Sequence, residues 1–202
     1  MKPIEFFFDL SSPWTYLAFH NIQPIARAHN ASLRWRPILV GGVFNAVNPA
    51  VYSARESPDN PRMRHTFKVL KDWAAWSNLP LNFPSPHHPA KSVLPMRACC
   101  VLEDRQEVLQ RFATAVFEAY CVGEENIDDP AVIARLGTEI GEEGEALVER
   151  AGSQAIKDHL RANTQEVVDR GGYGSPTIFV DGNDMYFGND QLPLVELALQ
   201  RR

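Results

Sequence analysis

A serine followed by a proline comes directly after a short apolar stretch near the start of the sequence. Residues 4–8 predict a buried strand, and Ser12-Pro13-Trp14-Thr15 then begins a segment with helical periodicity. The first N–H groups of a helix have no partners inside the helix, and the helix dipole places partial positive charge there. The Ser12 hydroxyl can therefore cap the helix, and it can also donate a hydrogen bond to an anion held at that point.

A second proline motif, Gly174-Ser175-Pro176-Thr177, precedes another apolar stretch that predicts a buried strand. If the bond before Pro176 is cis and faces the Ser12 corner, the backbone of Ser175 can pair with an extended ligand like an added strand. Each motif also has a plainer explanation, a helix cap for Ser12 and a turn into a strand for the second. Together they favour a ligand site, and disulfide exchange is excluded there because the sequence contains no Cys-x-x-Cys.

The predicted elements that position these motifs follow the order β-α-β, a block of helices, then α-β-β-α. The opening unit has a strand at 4–8, a helix at 14–29 and a strand at 32–39, which should form a parallel, right-handed crossover. Gly41-Gly42 and the prolines that follow, up to Pro61, predict a loop region. Helices are then predicted at about 62–77, 93–104, 106–120, 130–140 and 144–151. The closing unit has a helix at 153–169, strands at 177–180 and 185–187, and a helix at 192–202.

This order predicts an α/β protein with a thioredoxin-like fold and an inserted all-helical domain. The thioredoxin-like domain would comprise residues 1–45 and 153–202, and the helical insertion residues 46–152. In thioredoxin-like proteins the strand that follows the second motif places its proline opposite the first corner. The fold therefore predicts that the two motifs form one site.

Composition and charge exclude several classes of partner. A formal net charge of −5 argues against nucleic acid and against an anionic membrane surface, since both require a basic face. No stretch approaches the ~18 apolar residues of a membrane span, and no secretory signal precedes the first strand, so we expect a cytoplasmic protein. Cys99, Cys100 and Cys121 are predicted to be buried apolar residues, and no metal site is predicted.

An ordered set of motifs resembles a known family. The motifs are Phe6-x-Phe8-Asp9-x-x-Ser12-Pro13-x-x-Tyr16-Leu17, Pro37-x-x-x-Gly41-Gly42-x-Phe44, Asn48-Pro49, Gly172-x-x-Gly174-x-Pro176-Thr177 and Phe187-Gly188-x-Asp190. They resemble those of the 2-hydroxychromene-2-carboxylate isomerases, which belong with the kappa-class glutathione transferases and the DsbA-like proteins. The resemblance covers nearly the whole chain.

The resemblance implies a glutathione-dependent cis–trans isomerase of an aromatic 2-oxo acid, acting by reversible addition of the glutathione thiolate. Ser12 would donate a hydrogen bond to the glutathione sulfur. Ser175 and Pro176 would bind the cysteinyl backbone. Asn189 and Asp190, before the last helix, would hold the γ-glutamyl end, whose α-carboxylate suits the free N–H groups of a helix start.

Substrate binding is predicted at the start of the helical block. Asn48 matches an asparagine that lies over the site in the family, and Asn48 with Arg62 or Arg64 could bind the substrate carboxylate. Aromatic side chains would line an apolar pocket, although the spacing of the last two candidates suits a helix core better. The aromatic candidates are Trp14, Phe44, Trp73 and Trp76.

The sequence departs from the family at several positions, and other functions stay open. Gln191 stands where the family commonly has arginine, Met63 falls near a family lysine, and Ser11 is a second candidate for the serine beside the thiolate. The main alternative is a kappa-class transferase, in which the thiolate adds and stays. A non-catalytic thioredoxin-like binding module is the second, and a DsbA-type oxidoreductase is disfavoured by the missing cysteines. The relatives imply a homodimer.

Overall fold

A computed structural model describes residues 2–50 and 61–201 of the chain. Its strands are β1 (Pro3–Phe8), β2 (Ser32–Pro37), β3 (Thr177–Val180) and β4 (Asp184–Phe187). The helices in the described part are α1 (Pro13–Ala28), α2 (Val40–Val47), α3 (Pro61–Trp76), α4 (Val93–Leu102), α5 (Gln106–Cys121), α6 (Pro130–Glu139), α7 (Gly144–Ala151), α8 (Gln154–Asp169) and α9 (Leu192–Gln200).

The four strands form one mixed sheet in the order β2-β1-β3-β4. β1 runs parallel to β2, with Phe6 opposite Trp35, and antiparallel to β3, with Phe7 opposite Thr177. β3 and β4 form an antiparallel hairpin. The predicted β-α-β opening and α-β-β-α closing units therefore share a single sheet, which confirms the predicted α/β fold.

β1 is a central strand whose two faces are both covered. Phe6 and Phe8 point to the side of α1, where the Phe6 ring lies 5.1 Å from Trp35 and 6.5 Å from Phe19. Phe7 points to the other side, where it packs edge-to-face on Phe179 beneath α2 and α8. A strand buried on both faces explains why the sequence shows an unbroken apolar run instead of alternation.

Gly41-Gly42 was predicted to begin a loop, and this is wrong, because both glycines lie inside α2. Their low helix propensity is overridden by contacts with distant parts of the chain. Leu39 donates its N–H to Thr164 Oγ1 at 3.0 Å, and a Cβ on Gly42 would lie 3.1 Å from the Thr164 methyl group. A side chain at position 42 would therefore fit only if Thr164 shifted by a few tenths of an ångström.

The predicted division at 45/46 and 152/153 stays a prediction, and the first of its boundaries falls within α2. The part of the predicted loop at 51–60 lies outside the described residues. The sheet and the helices between β2 and α8 bury a common apolar core. Among the described residues, no helix has the length and apolar character needed to cross a membrane.

Candidate functional site

The corner between β1 and α1 is built around Ser12, which is the N-cap residue of α1. Its Oγ accepts a hydrogen bond from the Thr15 N–H at 3.2 Å, and Pro13 occupies the first helical position. A hydroxyl has one proton in addition to two lone pairs, and no described residue accepts the Ser12 proton. Ser12 is therefore a cap that keeps one donor available for a ligand.

Ser11 differs from Ser12 because its hydroxyl proton is already used. Both its N–H and its Oγ donate to Oδ1 of buried Asp9, at 2.9 and 2.8 Å. The other carboxylate oxygen of Asp9 accepts the Val40 N–H at 2.8 Å, so Asp9 joins the corner to the start of α2. Sequence reasoning gave Asp9 no role of its own. The feature of the sequence that could have identified Asp9 is a carboxylate directly after an apolar strand of phenylalanines.

Ser175 forms the opposite wall of the corner, and the bond to Pro176 is cis as predicted. Its hydroxyl turns inward, where it accepts the Asp9 N–H at 2.9 Å and lies 2.8 Å from Thr15 Oγ1. The backbone N–H and C=O of Ser175 have no partner in the described part of the chain. The Ser175 side chain thus links β1, α1 and the start of β3, while its backbone N–H and C=O remain unpaired in the described chain.

Asn189 lies between β4 and α9 and is a buried amide with one end unsatisfied. Only 2% of it is exposed, and its Oδ1 accepts a hydrogen bond from Asn21 Nδ2 at 2.9 Å. Asn21 also donates to Ser77 Oγ at 2.8 Å. The Nδ2 of Asn189 is buried and has no acceptor among the described residues. Burying an amide N–H without a partner costs about 1–3 kcal/mol, which a ligand acceptor would recover.

The residues that follow Asn189 leave further donors open at the start of α9. Asp190 is exposed, and the backbone N–H groups of Asp190 and Gln191 have no acceptor in the described chain. Gln191, which stands in place of the arginine common in the family, accepts the Phe187 N–H at 2.9 Å. This glutamine therefore holds the end of β4.

These walls enclose two adjoining cavities, which we call the groove. We name them by the side chains that distinguish them: the polar cavity, of about 360 Å³, contains Asn189 and Asp190, and the apolar cavity, of about 290 Å³, contains Phe44 and Phe67. They share Trp14, Ser175 and Phe187. The polar cavity is completed by Val69, Trp73, Gly188, Asn189 and Asp190. The apolar cavity is completed by Ser11, Ser12, Pro13, Val40, Phe44, Met63, Thr66, Phe67, Leu70, Phe83 and His88.

The structure does not bring the predicted carboxylate-binding residues into the walls of the groove. Asn48 ends α2 and donates to the Tyr173 carbonyl at 3.4 Å. Arg62 and Arg64 are exposed on α3, and the residue between them, Met63, faces the apolar cavity. Their roles toward a substrate stay predictions.

The two tryptophans of α3 were interpreted as helix core, and for Trp76 this is wrong. Trp76 is 77% exposed, and its ring lies edge-on to Trp73 with centroids 5.3 Å apart. Trp73 lines the polar cavity. The i, i+3 spacing places both on one side of α3, and that side faces the groove at Trp73 and solvent at Trp76.

The cysteines are buried away from the groove, as predicted. Burial raises the pKa of the Cys121 thiol to about 12 and raises the pKa of Cys99 and Cys100 as well. No cysteine lines either cavity, and no cluster of three possible metal ligands occurs among the described residues. The described walls of the groove therefore supply no thiol of their own.

Comparison with known proteins gives similarity over the full length of the chain. A family model, the DSBA-like thioredoxin domain, matches residues 3–200. A 2-hydroxychromene-2-carboxylate isomerase from Sphingobium xenophagum is 30% identical over 98% of this chain and 98% of that protein. Glutathione s-transferase kappa 2 from Caenorhabditis elegans is 23% identical, covering 96% and 90%. A solved structure of a 2-hydroxychromene-2-carboxylate isomerase matches with a TM-score of 0.80 at 24% identity, covering 98% and 94%, which supports the fold.

Proposed function

The chain belongs to the DSBA-like thioredoxin family and groups there with the 2-hydroxychromene-2-carboxylate isomerases, and we propose that it is a glutathione-dependent cis–trans isomerase of an aromatic 2-oxo acid. One observation carries the proposal. Ser12 in the apolar cavity and Asn189 in the polar cavity each keep a hydrogen-bond donor with no partner, and the open backbone of Ser175 borders both cavities.

The open groups match the parts of a glutathione molecule in order. Asn189 Nδ2 and the free N–H groups before α9 suit the γ-glutamyl carboxylate, and exposed Asp190 suits the α-ammonium group. The backbone of Ser175 can pair with the cysteinyl residue as an added strand does. The sulfur then comes to Ser12, whose hydroxyl donates to a thiolate at the positive end of α1.

Bound glutathione would supply a thiolate that adds reversibly to a conjugated carbon of the substrate, so that the former double bond can rotate before the thiolate leaves. Ser12 favours the ionised sulfur by hydrogen bonding and by the field of α1. It does not act as a nucleophile itself. Ser175 fixes the ligand's backbone, which determines where the sulfur lies relative to the apolar cavity.

The apolar cavity is proposed to hold the aromatic part of the substrate. Trp14, Phe44 and Phe67 give it flat apolar walls, and these suit an aromatic ring. The substrate carboxylate then needs a partner at the rim, for which Asn48 and either Arg62 or Arg64 remain the proposed residues. Substituting each in turn and comparing KM with kcat would identify which one contributes.

Glutathione binding is tested first by thermal unfolding at millimolar glutathione. A ligand that binds only the folded state raises Tm, so we expect a rise with glutathione and a smaller rise with the analogue carrying a methyl group instead of the thiol. Absorbance near 240 nm should show thiolate in the complex at neutral pH. No rise in Tm at 10 mM glutathione contradicts the proposal.

Product analysis with an o-hydroxybenzylidene pyruvate separates the proposed isomerase from the kappa-class transferase. The transferase is kept as the second candidate because of the kappa-class relative. An isomer formed without net loss of glutathione supports the isomerase, whereas a stable conjugate supports the transferase. Glutathione binding without either product would support the non-catalytic binding module.

Two further properties belong to the proposal. Three buried cysteines without a disulfide suit a reducing compartment, so we propose a cytoplasmic enzyme. We also propose a homodimer, as the family resemblance implies, which the molar mass from light scattering would test.

A further inference from the structure

A third cavity, which we call the rear cavity, lies where α2, α4 and α8 meet. It measures about 340 Å³ and shares no wall residue with either cavity of the groove. Three of its wall residues are cations: Arg97 from α4, and Lys157 and Arg161 from α8. Leu39 and Val168 give the same cavity an apolar part.

Two of these cations have no counter-charge. Neither the Arg97 guanidinium nor the Lys157 ammonium lies within 4 Å of a carboxylate in the described chain. The Nε of Arg97 is moreover buried without a hydrogen-bond acceptor. Arg36, which is more deeply buried than Arg97, contacts three carboxylates that balance its charge.

The walls themselves offer no carboxylate that could move in to balance the charge. The sequences of α2 and α4 contain no aspartate or glutamate. On α8, Asp158 pairs with Arg161 at 2.7 Å and Asp169 accepts from the Gln165 amide at 2.7 Å. Glu166 on the same helix pairs with Arg36. No carboxylate of the described walls is left to pair with half-buried Arg97 and Lys157, so a counter-charge for them has to come from an anion outside the chain.

We propose that the rear cavity is a binding site for a small organic carboxylate with an apolar body. The carboxylate pairs with Arg97 and Lys157, and the apolar body contacts Leu39 and Val168. A cavity of this size with a mixed lining suits such a molecule better than an inorganic anion, which would leave the apolar part in contact with water. The site is separate from the groove and does not depend on the function proposed for it.

The position of the rear cavity suggests why a ligand there would matter. Gly42 and Ala46 of α2 line the rear cavity, whereas Phe44 of the same helix lines the apolar cavity of the groove. α2 thus forms a wall of both sites. A ligand in the rear cavity therefore stabilises the helix that shapes the proposed substrate pocket.

The test measures binding of 1-naphthoate to the full chain by titration calorimetry. Lys157→Glu and Arg97→Gln are compared with Arg111→Gln, which removes an exposed cation of α5 that does not line the cavity. We expect the two cavity variants to weaken one binding event roughly 10- to 100-fold, because a charge-assisted contact is lost. The Arg111 variant should bind like the parent protein.

Two controls make the outcome specific. The neutral analogue 1-naphthalenemethanol should bind at least tenfold more weakly, and inorganic phosphate should not displace naphthoate. Ser12→Ala alters only the groove, so it should leave unchanged the 1-naphthoate binding that Lys157→Glu weakens. Equal binding by Lys157→Glu and the parent protein would overturn the proposal, as would displacement by phosphate or loss of the event in Ser12→Ala. Circular dichroism of both cavity variants verifies that they are folded.

Discussion

The cluster around Arg36 and the groove around Ser12 differ in whether their buried polar groups have hydrogen-bond partners. Arg36 contacts Glu5, Glu103 and Glu166, and buried Asn163 joins the same network at both ends of its amide. In the groove, Asn189 is equally buried but uses only one end of its amide. Under the proposed function, the cluster stabilises the fold and the groove binds a ligand, because a buried donor without an acceptor is costly unless a ligand accepts its hydrogen bond.

The largest effect should come from breaking the closed network. Arg36→Met removes the cation and leaves Glu103 buried without its main counter-charge, which typically costs about 3–5 kcal/mol of unfolding free energy. Urea unfolding measures it. The control is Arg135→Met, whose exposed pairs with Glu125 and Glu139 should contribute less than about 1 kcal/mol. Similar losses in the two variants would contradict the conclusion that the Arg36 cluster stabilises the fold more than an exposed ion pair does.

The next effect concerns catalysis at the open corner. Ser12→Ala removes the proposed donor to the glutathione thiolate, and losing one such donor typically lowers kcat about 10²–10³-fold. It also removes a helix cap, which costs only about 1 kcal/mol of stability. Ser11→Ala is the matched control, since its hydroxyl already donates to Asp9, and we expect its turnover to stay within a few-fold of the parent. Equal loss of turnover in both variants would assign the corner to structure alone.

Two buried asparagines, Asn163 in the Arg36 cluster and Asn189 in the groove, allow the two regions to be compared with the same type of side chain. Asn163→Ala breaks contacts at both amide ends and should cost about 1–3 kcal/mol of stability with little change in glutathione affinity. Asn189→Ala should do the reverse, weakening glutathione roughly tenfold with a smaller loss of stability. Unfolding and calorimetry on both variants give all four values. A larger stability loss in Asn189→Ala than in Asn163→Ala would sink the idea that its amide is reserved for a ligand.

The smallest expected effect is the absence of thiol reactivity. Burial raises the pKa of Cys121 to about 12 and that of Cys99 in the same direction, so almost no thiolate is present at pH 8. Native protein should therefore resist iodoacetamide for an hour, and unfolded protein should take up three labels, as counted by mass spectrometry. Rapid labelling of the folded protein would contradict the burial of these thiols.

The sequence predicted more of the sheet than of the groove. β1 and the Ser12 cap were readable because apolar runs and Ser-Pro pairs act locally. α2 was not, because its glycines are held helical by Asp9 and Thr164, which are distant in the sequence. The proline motif placed Ser175 in the proposed site, whereas Asn189 came from family resemblance. Only the structure shows that both residues keep hydrogen-bonding groups without a partner, because whether a donor is paired depends on the residues around it.

The exposed Trp76 and the rear cavity show a second limit of prediction from the sequence. Helical spacing identifies which residues share a face of a helix, but not what that face meets. Trp73 and Trp76 share one face, and only the first is covered. The sequence likewise does not show that Arg97 lacks a counter-charge, because this depends on helices that are far apart in the sequence.

The pairing of β1 with β3 has a consequence for how the protein is made. β1 is synthesised first, yet its partner begins only at Thr177, and the Ser12 corner lacks its Ser175 wall until then. At about 5–20 residues per second, a ribosome needs roughly 10–30 s to reach that point. During this interval the phenylalanines of β1 have no antiparallel neighbour. A chain released early therefore exposes an apolar strand and lacks the Ser175 wall of the groove, so the groove can form only when translation is nearly finished.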